Sequence, residues 1–400
     1  MLDVIFLGYV VKPEEANKAT GASVAGNKMQ WNVVRHLGKH DDMRIHCVTV
    51  MPLAAFPHDC KIWQGKQRVQ LTEKVLSTRI PYMNLPVVKQ FWQTISVYME
   101  AKKLLKKHPN AVIMAFNLFP QVGIPLRWLS KKASTVCLLA DLPIDDNTNR
   151  RGLSLRLRKL FEKSTWKSMK ACQRFIVLNP HVADLYLPGK PYIVVDGGID
   201  EHEIQPVTYG PRERGEHNIM FCGALTEYNG IRNLIAAMGK VDDRSIVLDI
   251  YGDGYLRSDV EEAAKDNPRI RYYGRVSNEI VMQKQREAWG LINPRIVNDP
   301  IAKVTFPSKT FEYLLSGTPV ISTRLNGYGS EYEDCMIFAE QDTTEGIAEA
   351  INRMAVMPED ELADMVSRAR NMVCSQKTWK KQTQRVADFL IFDNKESKDQ

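Results

Sequence analysis

Two hydrophobic rhythms alternate along this chain. Short, continuous apolar runs are followed by longer stretches with apolar residues three to four positions apart. The runs LDVIFLG (2–8), MRIHCVTV (43–50), AVIMAF (111–116), TVCLLAD (135–141) and RFIVLN (174–179) predict strands buried on both faces, because a covered strand shows no polar alternation. Helical spacing fills the gaps: through Trp31, Val34 and Leu37, from about Val87 to Lys107, on to about Lys131, and in a basic segment from about Leu153. The rhythm restarts at 218, where NIMFCG, SIVLDIYGDG, RIRYYGRV and WGLINPR read as strands between helices at 230–239, about 256–265 and after 307. Strand and helix in strict alternation predict an α/β protein with two doubly wound, Rossmann-like parallel sheets. The tail SQKTWKKQTQRVADFLIF reads as a separate amphipathic helix.

Composition fits this picture. Four hundred residues, 44% hydrophobic and 25% charged, suffice for two ordinary cores. Asp3 at the start reads against a secretory leader, and the longest apolar region, 111–129, is interrupted by Asn117, Pro120, Gln121, Pro125 and Arg127. Seven dispersed cysteines without a C-x-x-C pair suit a reduced, cytoplasmic protein. The eight histidines show no metal-ligand spacing, so neither a structural zinc nor any cofactor is expected. Charge is uneven: residues 1–200 carry 29 Lys and Arg against 15 Asp and Glu, while 201–400 carry 25 against 32. The basic half should meet an anionic partner.

The richest stretch is FPSKTFEYLLSGTPVIST, 306–323. Pro307 and Ser308 suit a helix start, with Ser308 as a cap, and Gly317 a helix stop before a strand at Val320 and Ile321. Ser308 and Lys309 at a helix start would hold an anion, and Glu312, one turn in, would reach ribose hydroxyls. The alternative is an ordinary capped helix with a solvated Lys–Glu face.

Glu312, Gly317, Pro319, Val320 and Ile321 resemble the donor-site signature of family 4 retaining glycosyltransferases, which have the GT-B fold. The likeness extends over nearly the whole chain. It implies an acceptor-side domain at 1–198, a nucleotide-sugar domain at 199–374, both facing a cleft, and a terminal helix (375–400) that crosses back after Thr378 and Trp379. It implies that Gly223 approaches a diphosphate, that the loop at Gly274 and Arg275 borders the base, and that Gly21 approaches the reacting sugar. The family's second glutamate is replaced here by Val304, and its two diphosphate-binding cations by Ala224 and Asn229. The resemblance implies a retaining, metal-independent transfer from a nucleoside-diphosphate sugar, by family frequency a UDP-sugar, to a hydroxyl acceptor. A non-catalytic partner subunit and a GT-B nucleotide-sugar epimerase are the other readings.

In open α/β sheets ligands sit at the carboxyl ends of strands. Arg295, closing WGLINPR, and Lys309 are therefore the candidate counter-charges for a leaving diphosphate. Gly252 in YGDG marks either a phosphate-approach turn or a plain tight turn. Asp141, closing LLAD, would poise the acceptor or merely cap a loop. Without a D-x-D motif no bridging metal is expected. Finally, residues 150–170 hold eight Lys and Arg and one acid, Glu162. On a helix, Leu153, Leu157, Leu160 and Phe161 share one face, expected to be the core, and Arg156, Lys159, Lys163, Lys167 and Lys170 form a stripe beside it. Leu155, Trp166 and Met169 fall beyond that stripe. This predicts a helix docked by its cations and Trp166 on the anionic inner face of the plasma membrane, with a lipid-linked acceptor, or else a helix packed on two sides with a solvated edge. No aromatic platform accompanies the charge, so nucleic acid is not an expected partner.

Overall fold

The apolar runs of the first half become the middle of an eight-stranded sheet. Its elements lie among β1 (Leu2–Gly8), β2 (Met43–Thr49), β3 (Trp63–Gln64), β4 (Gln67–Thr72), β5 (Val75–Arg79), β6 (Tyr82–Met83), β7 (Val112–Phe116), β8 (Thr135–Leu139), β9 (Arg174–Val177) and β10 (Tyr192–Val194). The order is β10-β9-β8-β7-β1-β2-β5-β4, and β3 pairs with β6 in a separate ribbon. All neighbours in the large sheet are parallel except the edge strand β4, which is antiparallel to β5. The computed structural model describes residues 1–142, 153–207, 209 and 217–396. They fall into two compact units, Met1–Gly197 with Trp379–Gln400, and Gly198–Thr378.

Val4, Ile5, Phe6 and Leu7 of β1 are all fully buried, which is why this strand shows no polar alternation. The segment 63–83 escapes sequence reading for the opposite reason. β3 and β6 have two residues each, and β4 (QRVQLT) is mostly exposed edge, so no apolar run announces them.

The second unit contains β11 (His217–Cys222), β12 (Ile246–Tyr251), β13 (Ile270–Gly274), β14 (Gly290–Asn293), β15 (Val320–Thr323) and β16 (Ile337–Ala339). Their order is β13-β12-β11-β14-β15-β16, all parallel. The last helix, Trp379–Glu396, belongs to the first unit. Trp379, Val386, Ala387 and Leu390 are buried in that unit's core. Gln382 donates to Asp196 at 3.1 Å, and Arg174 donates to the Phe389 carbonyl at 2.7 Å.

The helix Leu153–Ala171 corrects the expected faces. Leu160 is 61% and Phe161 40% exposed, whereas Met169 is buried and Trp166 is half-buried with its ring 5.3 Å from Tyr186. The side chains of Leu153 and Leu157 lie outside the described residues. The buried face is built from Thr165, Ser168 and Met169. The reason is steric: a Cβ on Gly123, in the helix Pro120–Leu129, would lie 3.0 Å from Cβ of Ser168. Two helices approaching this closely select small side chains for the contact. The larger apolar residues Leu160 and Phe161 are left outside. Among the described residues, no helix is long and apolar enough to cross a membrane.

Candidate functional site

Each sheet has one place where the chain leaves in opposite directions from neighbouring strands. In the first unit these strands are β1 and β7; in the second they are β11 and β14. Loops diverge there, and a crevice opens beyond the carboxyl ends. Both crevices are present, and Gly21, Asp141, Gly223, Arg295, Ser308 and Lys309 line one or the other.

In the first unit a cavity of about 460 Å³ is lined by Tyr9 after β1, by Phe116 and Asn117 at β7, and by Gly21, Asp141 and Lys89. Asn117 is fully buried at φ 54°, a left-handed conformation that asparagine tolerates better than most residues. Its side-chain oxygen accepts from the backbone N–H of Ala140 at 2.8 Å and of Asp141 at 3.0 Å, and its amide donates to the Asp141 carboxylate at 3.0 Å. Asp141, itself exposed, is thus aimed by a buried neighbour. Gly21 has no room for a side chain: a Cβ would sit 2.7 Å from the Leu53 carbonyl carbon and 2.9 Å from the Ala54 nitrogen. Lys89 is buried and donates to the Leu53 carbonyl. Burial pushes its ammonium pKa down, with Asp59 opposing. Neither Asn117 nor Lys89 was anticipated from sequence. Asn117 left one trace, an asparagine directly after a buried strand.

In the second unit a pocket of about 140 Å³ brings together Gly223, Arg295, Ser308 and Lys309. Gly223 follows β11 and Arg295 follows β14, so the strand switch places them side by side. Lys309 reaches across from its helix (Lys309–Leu315) and donates to the Cys222 carbonyl at 2.8 Å. Arg295 donates from Nη1 to Thr305 at 3.2 Å, and its guanidinium carbon lies 5.6 Å from the Tyr228 ring centre. Its Nε is buried with no hydrogen-bond partner, and burial pushes its pKa down. Among the described residues, no carboxylate lines this pocket. Ala224 and Asn229, which replace the expected cations, also line it and bond to each other, Asn229 donating to the Ala224 carbonyl at 2.7 Å.

Four anticipated residues are placed otherwise than expected. Ser308 is the residue before the helix, but its hydroxyl makes no capping bond and the residue is exposed. Glu312 is half-buried one turn further on and does not line the pocket. Gly252 and Arg275 also lie outside the pocket lining. Gly252 nevertheless abuts it, because its backbone at φ 136° packs on the Gly223 carbonyl. Arg275 is exposed just beyond β13. Tyr328, which no sequence pattern singled out, also lines the pocket, with its hydroxyl 3.1 Å from Thr310 Oγ1 and 3.2 Å from the Asn293 amide. The catalytic candidates are therefore divided, Asp141 in the first unit and Arg295 and Lys309 in the second.

Residues 216–356 match the family model described as "Glycosyl transferases group 1". No curated protein sequence matches the chain. Among solved structures, sucrose-phosphate synthase from Thermosynechococcus elongatus superposes with a TM-score of 0.66 at 15% identity, covering 97% of this chain and 98% of that one. The lipopolysaccharide outer core galactosyltransferase WaaB, in its apo form, gives 0.66 at 12%, covering 98% and 99%. Anabaena HepE, in complex with UDP, gives 0.61 at 13%, covering 97% and 99%. At such identities the likeness is one of fold. Residues 216–356, in the second unit, thus resemble the glycosyl transferases group 1 family, and the chain as a whole has the GT-B fold.

Proposed function

We propose that the chain transfers a sugar, with retention, from a nucleoside-diphosphate sugar to a hydroxyl acceptor. One observation carries this reading: Arg295 and Lys309 meet at the strand switch of the second unit, in a pocket lined by no carboxylate. With no carboxylate among the lining residues, and Asp299 acting on Arg295 only from outside the lining, the two cations suit a ligand that brings negative charge. A diphosphate does so, and its charge grows as it leaves. In the proposed step the bond from the anomeric carbon to the acceptor oxygen forms as the bond to the diphosphate oxygen breaks. The acceptor proton passes to the departing diphosphate on the same face, which needs no dedicated base. Ser308 and Gly223 would support the diphosphate, Glu312 the ribose and the loop at Arg275 the base. In the first unit Asp141, aimed by Asn117, would orient the acceptor hydroxyl near Gly21. A UDP-sugar is the donor proposed, since HepE is solved with UDP and, in another structure, with UDP and glucose.

The test is binding and turnover together. UDP should raise the melting temperature, because a ligand that binds only the folded state stabilises it. With a matching UDP-sugar and acceptor the protein should release UDP, and both effects should survive excess EDTA. UDP binding without turnover of any sugar would move the protein to a non-catalytic partner role. Turnover lost in EDTA and restored by magnesium or manganese would refute the metal-independent mechanism.

The acceptor is proposed to be lipid-linked, in surface-glycan synthesis, with the first unit docked on anionic lipid at the inner face of the plasma membrane. Arg156, Lys159, Lys163 and Lys167 are exposed around Leu160 and Phe161, and Phe161 also lines the cavity. The helix Val88–Lys107, whose Lys89 and Gln93 line the same cavity, exposes Phe91 at 73% and Val88 at 43%. Trp63 and Trp92 pack edge to face beside it at 5.5 Å. Aromatic and basic groups around one cavity mouth suit an interfacial surface. Half-buried Trp166 is replaced in this role by Phe91, Trp63 and Phe161. Each cation contributes about 1 kcal/mol near acidic lipid. Replacing Lys159, Lys163 and Lys167 by Glu should therefore weaken co-sedimentation with anionic vesicles on the order of a hundredfold or more. High salt should release the wild type as well. A wild-type protein that stays in the supernatant at low salt would point to a soluble acceptor.

A further inference from the structure

Among the described residues, one cluster of metal-ligating side chains stands apart from both crevices. Asp3 is the second residue of β1, His46 lies in the middle of β2, and His108 closes the helix Val88–Lys107. The parallel register sets Asp3 beside Arg44, two residues before His46 and on the same face of β2. The incoming helix end delivers His108 to that face. His46 Nε2 lies 2.8 Å from one Asp3 carboxylate oxygen, and His108 Nδ1 lies 3.2 Å from the other. The two imidazole ring centres are 4.4 Å apart.

We propose that Asp3, His46 and His108 form a binding site for a divalent transition metal of the zinc class. One ligand atom from each residue falls within 4.8 Å of the others. Around a tetrahedral ion with bonds of 2.0–2.1 Å, neighbouring ligand atoms lie about 3.3 Å apart, so small side-chain rotations suffice to close the site. Two imidazoles and one carboxylate select zinc, cobalt, nickel or copper over magnesium or calcium, which prefer all-oxygen shells. The side chains are 23%, 20% and 21% exposed. An aqueous ion can therefore enter, and a fourth position stays open to water. Arg44 is exposed and adds positive charge near Asp3, which lowers affinity without occupying the centre.

The site lies at the amino-terminal edge of the sheet. β1 rises about 3.3 Å per residue, so Asp3 is about 17 Å from Gly8 at the crevice edge. A metal here takes no part in sugar transfer. It fastens the end of the helix Val88–Lys107 to β1 and β2, and the other end of that helix carries Lys89 and Gln93 into the cavity. The ion is a clamp on the first unit, independent of the proposed activity.

The experiment uses the full-length, tag-free chain stripped of metal, with Zn(II) and Co(II) as probes. Wild type should bind one equivalent of either ion. Bound Co(II) should show the visible bands of a four- or five-coordinate site, and Zn(II) should raise the melting temperature. His46→Gln and His108→Gln should each weaken Co(II) binding by at least about tenfold and abolish the Zn(II) effect on melting. Both histidines are partly exposed, and circular dichroism of the metal-free variants checks their fold. If one variant fails to fold, the other still decides. No Co(II) spectrum with equimolar ion, or the same stoichiometry and affinity in wild type and the double variant, overturns the assignment. UDP-driven melting shifts are unaffected by either result, so failure here is distinct from failure of the transferase reading.

Discussion

Lys309→Ala should lower the transfer rate by about 10²–10³-fold, as removal of one charge-stabilising group at a developing anion does. Its Nζ is held 2.8 Å from the Cys222 carbonyl, at the mouth of the pocket it shares with Arg295. Fixed there, it needs no reorganisation when charge builds on the diphosphate. The fold should survive. The Cys222 carbonyl also accepts from the Tyr313 hydroxyl at 3.3 Å, so no buried acceptor is orphaned when the lysine is lost. Glu312→Ala should act differently. Hydrogen bonds from ribose to a carboxylate contribute about 1.5–3 kcal/mol, hence roughly tenfold to a hundredfold. They act on the nucleoside in both ground and transition states, so the loss should appear mainly in KM. The measurement is kcat and KM for the donor that serves wild type, with UDP-induced melting shifts alongside. Normal turnover by both variants would place the donor site elsewhere.

Gly252→Ala should be a severely damaging single-methyl change in the second unit. Two causes add. Gly252 has φ 136°, a conformation that costs an alanine about 1–3 kcal/mol. The new Cβ would also fall 1.8 Å from the Gly223 carbonyl oxygen and 2.9 Å from its carbon, both backbone atoms. Rotamer change cannot relieve that overlap, so β11 and β12 must separate at their ends, adding about 1–3 kcal/mol. Gly223 lines the pocket and bonds through its N–H to the Tyr251 carbonyl at 3.0 Å, so the displacement reaches the donor site directly. The expected result is a clear fall in the denaturation midpoint, with loss of UDP stabilisation even under conditions where the variant is folded. An unchanged midpoint with full UDP stabilisation would show that the glycine pair separates without cost.

Much of this protein could be read from residue order because its sheets are parallel and covered. LDVIFLG and SIVLDIY are runs with no polar alternation, and each is a strand buried on both faces. Their alternation with helical spacing identified the doubly wound class. The region 63–83 was invisible, since two-residue strands are too short to show a pattern and the polar β4 carries no apolar run. Candidate residues at strand ends were nameable, Asp141 and Arg295 because open α/β sheets concentrate chemistry there and Gly223 through the family resemblance. Their grouping was not. Arg295 and Lys309 share a pocket because β14 lies beside β11, a crossover that no local pattern encodes.

The helix Leu153–Ala171 shows the same division. Its basic stripe is a property of the sequence, but the face turned inward is not. Hydrophobic periodicity favoured Leu160 and Phe161 for the core. Close approach to Gly123 instead favoured Thr165, Ser168 and Met169, since contact geometry outweighs side-chain hydrophobicity where helices nearly touch. The buried Asn117 behind Asp141 and the meeting of Asp3, His46 and His108 likewise belong to tertiary structure. Residue order determined which segments would be strands and helices and where charge would gather. Only the packing of those segments decided which polar groups, far apart in the chain, would face one another, because that depends on strand order and on the shape of side chains at each contact.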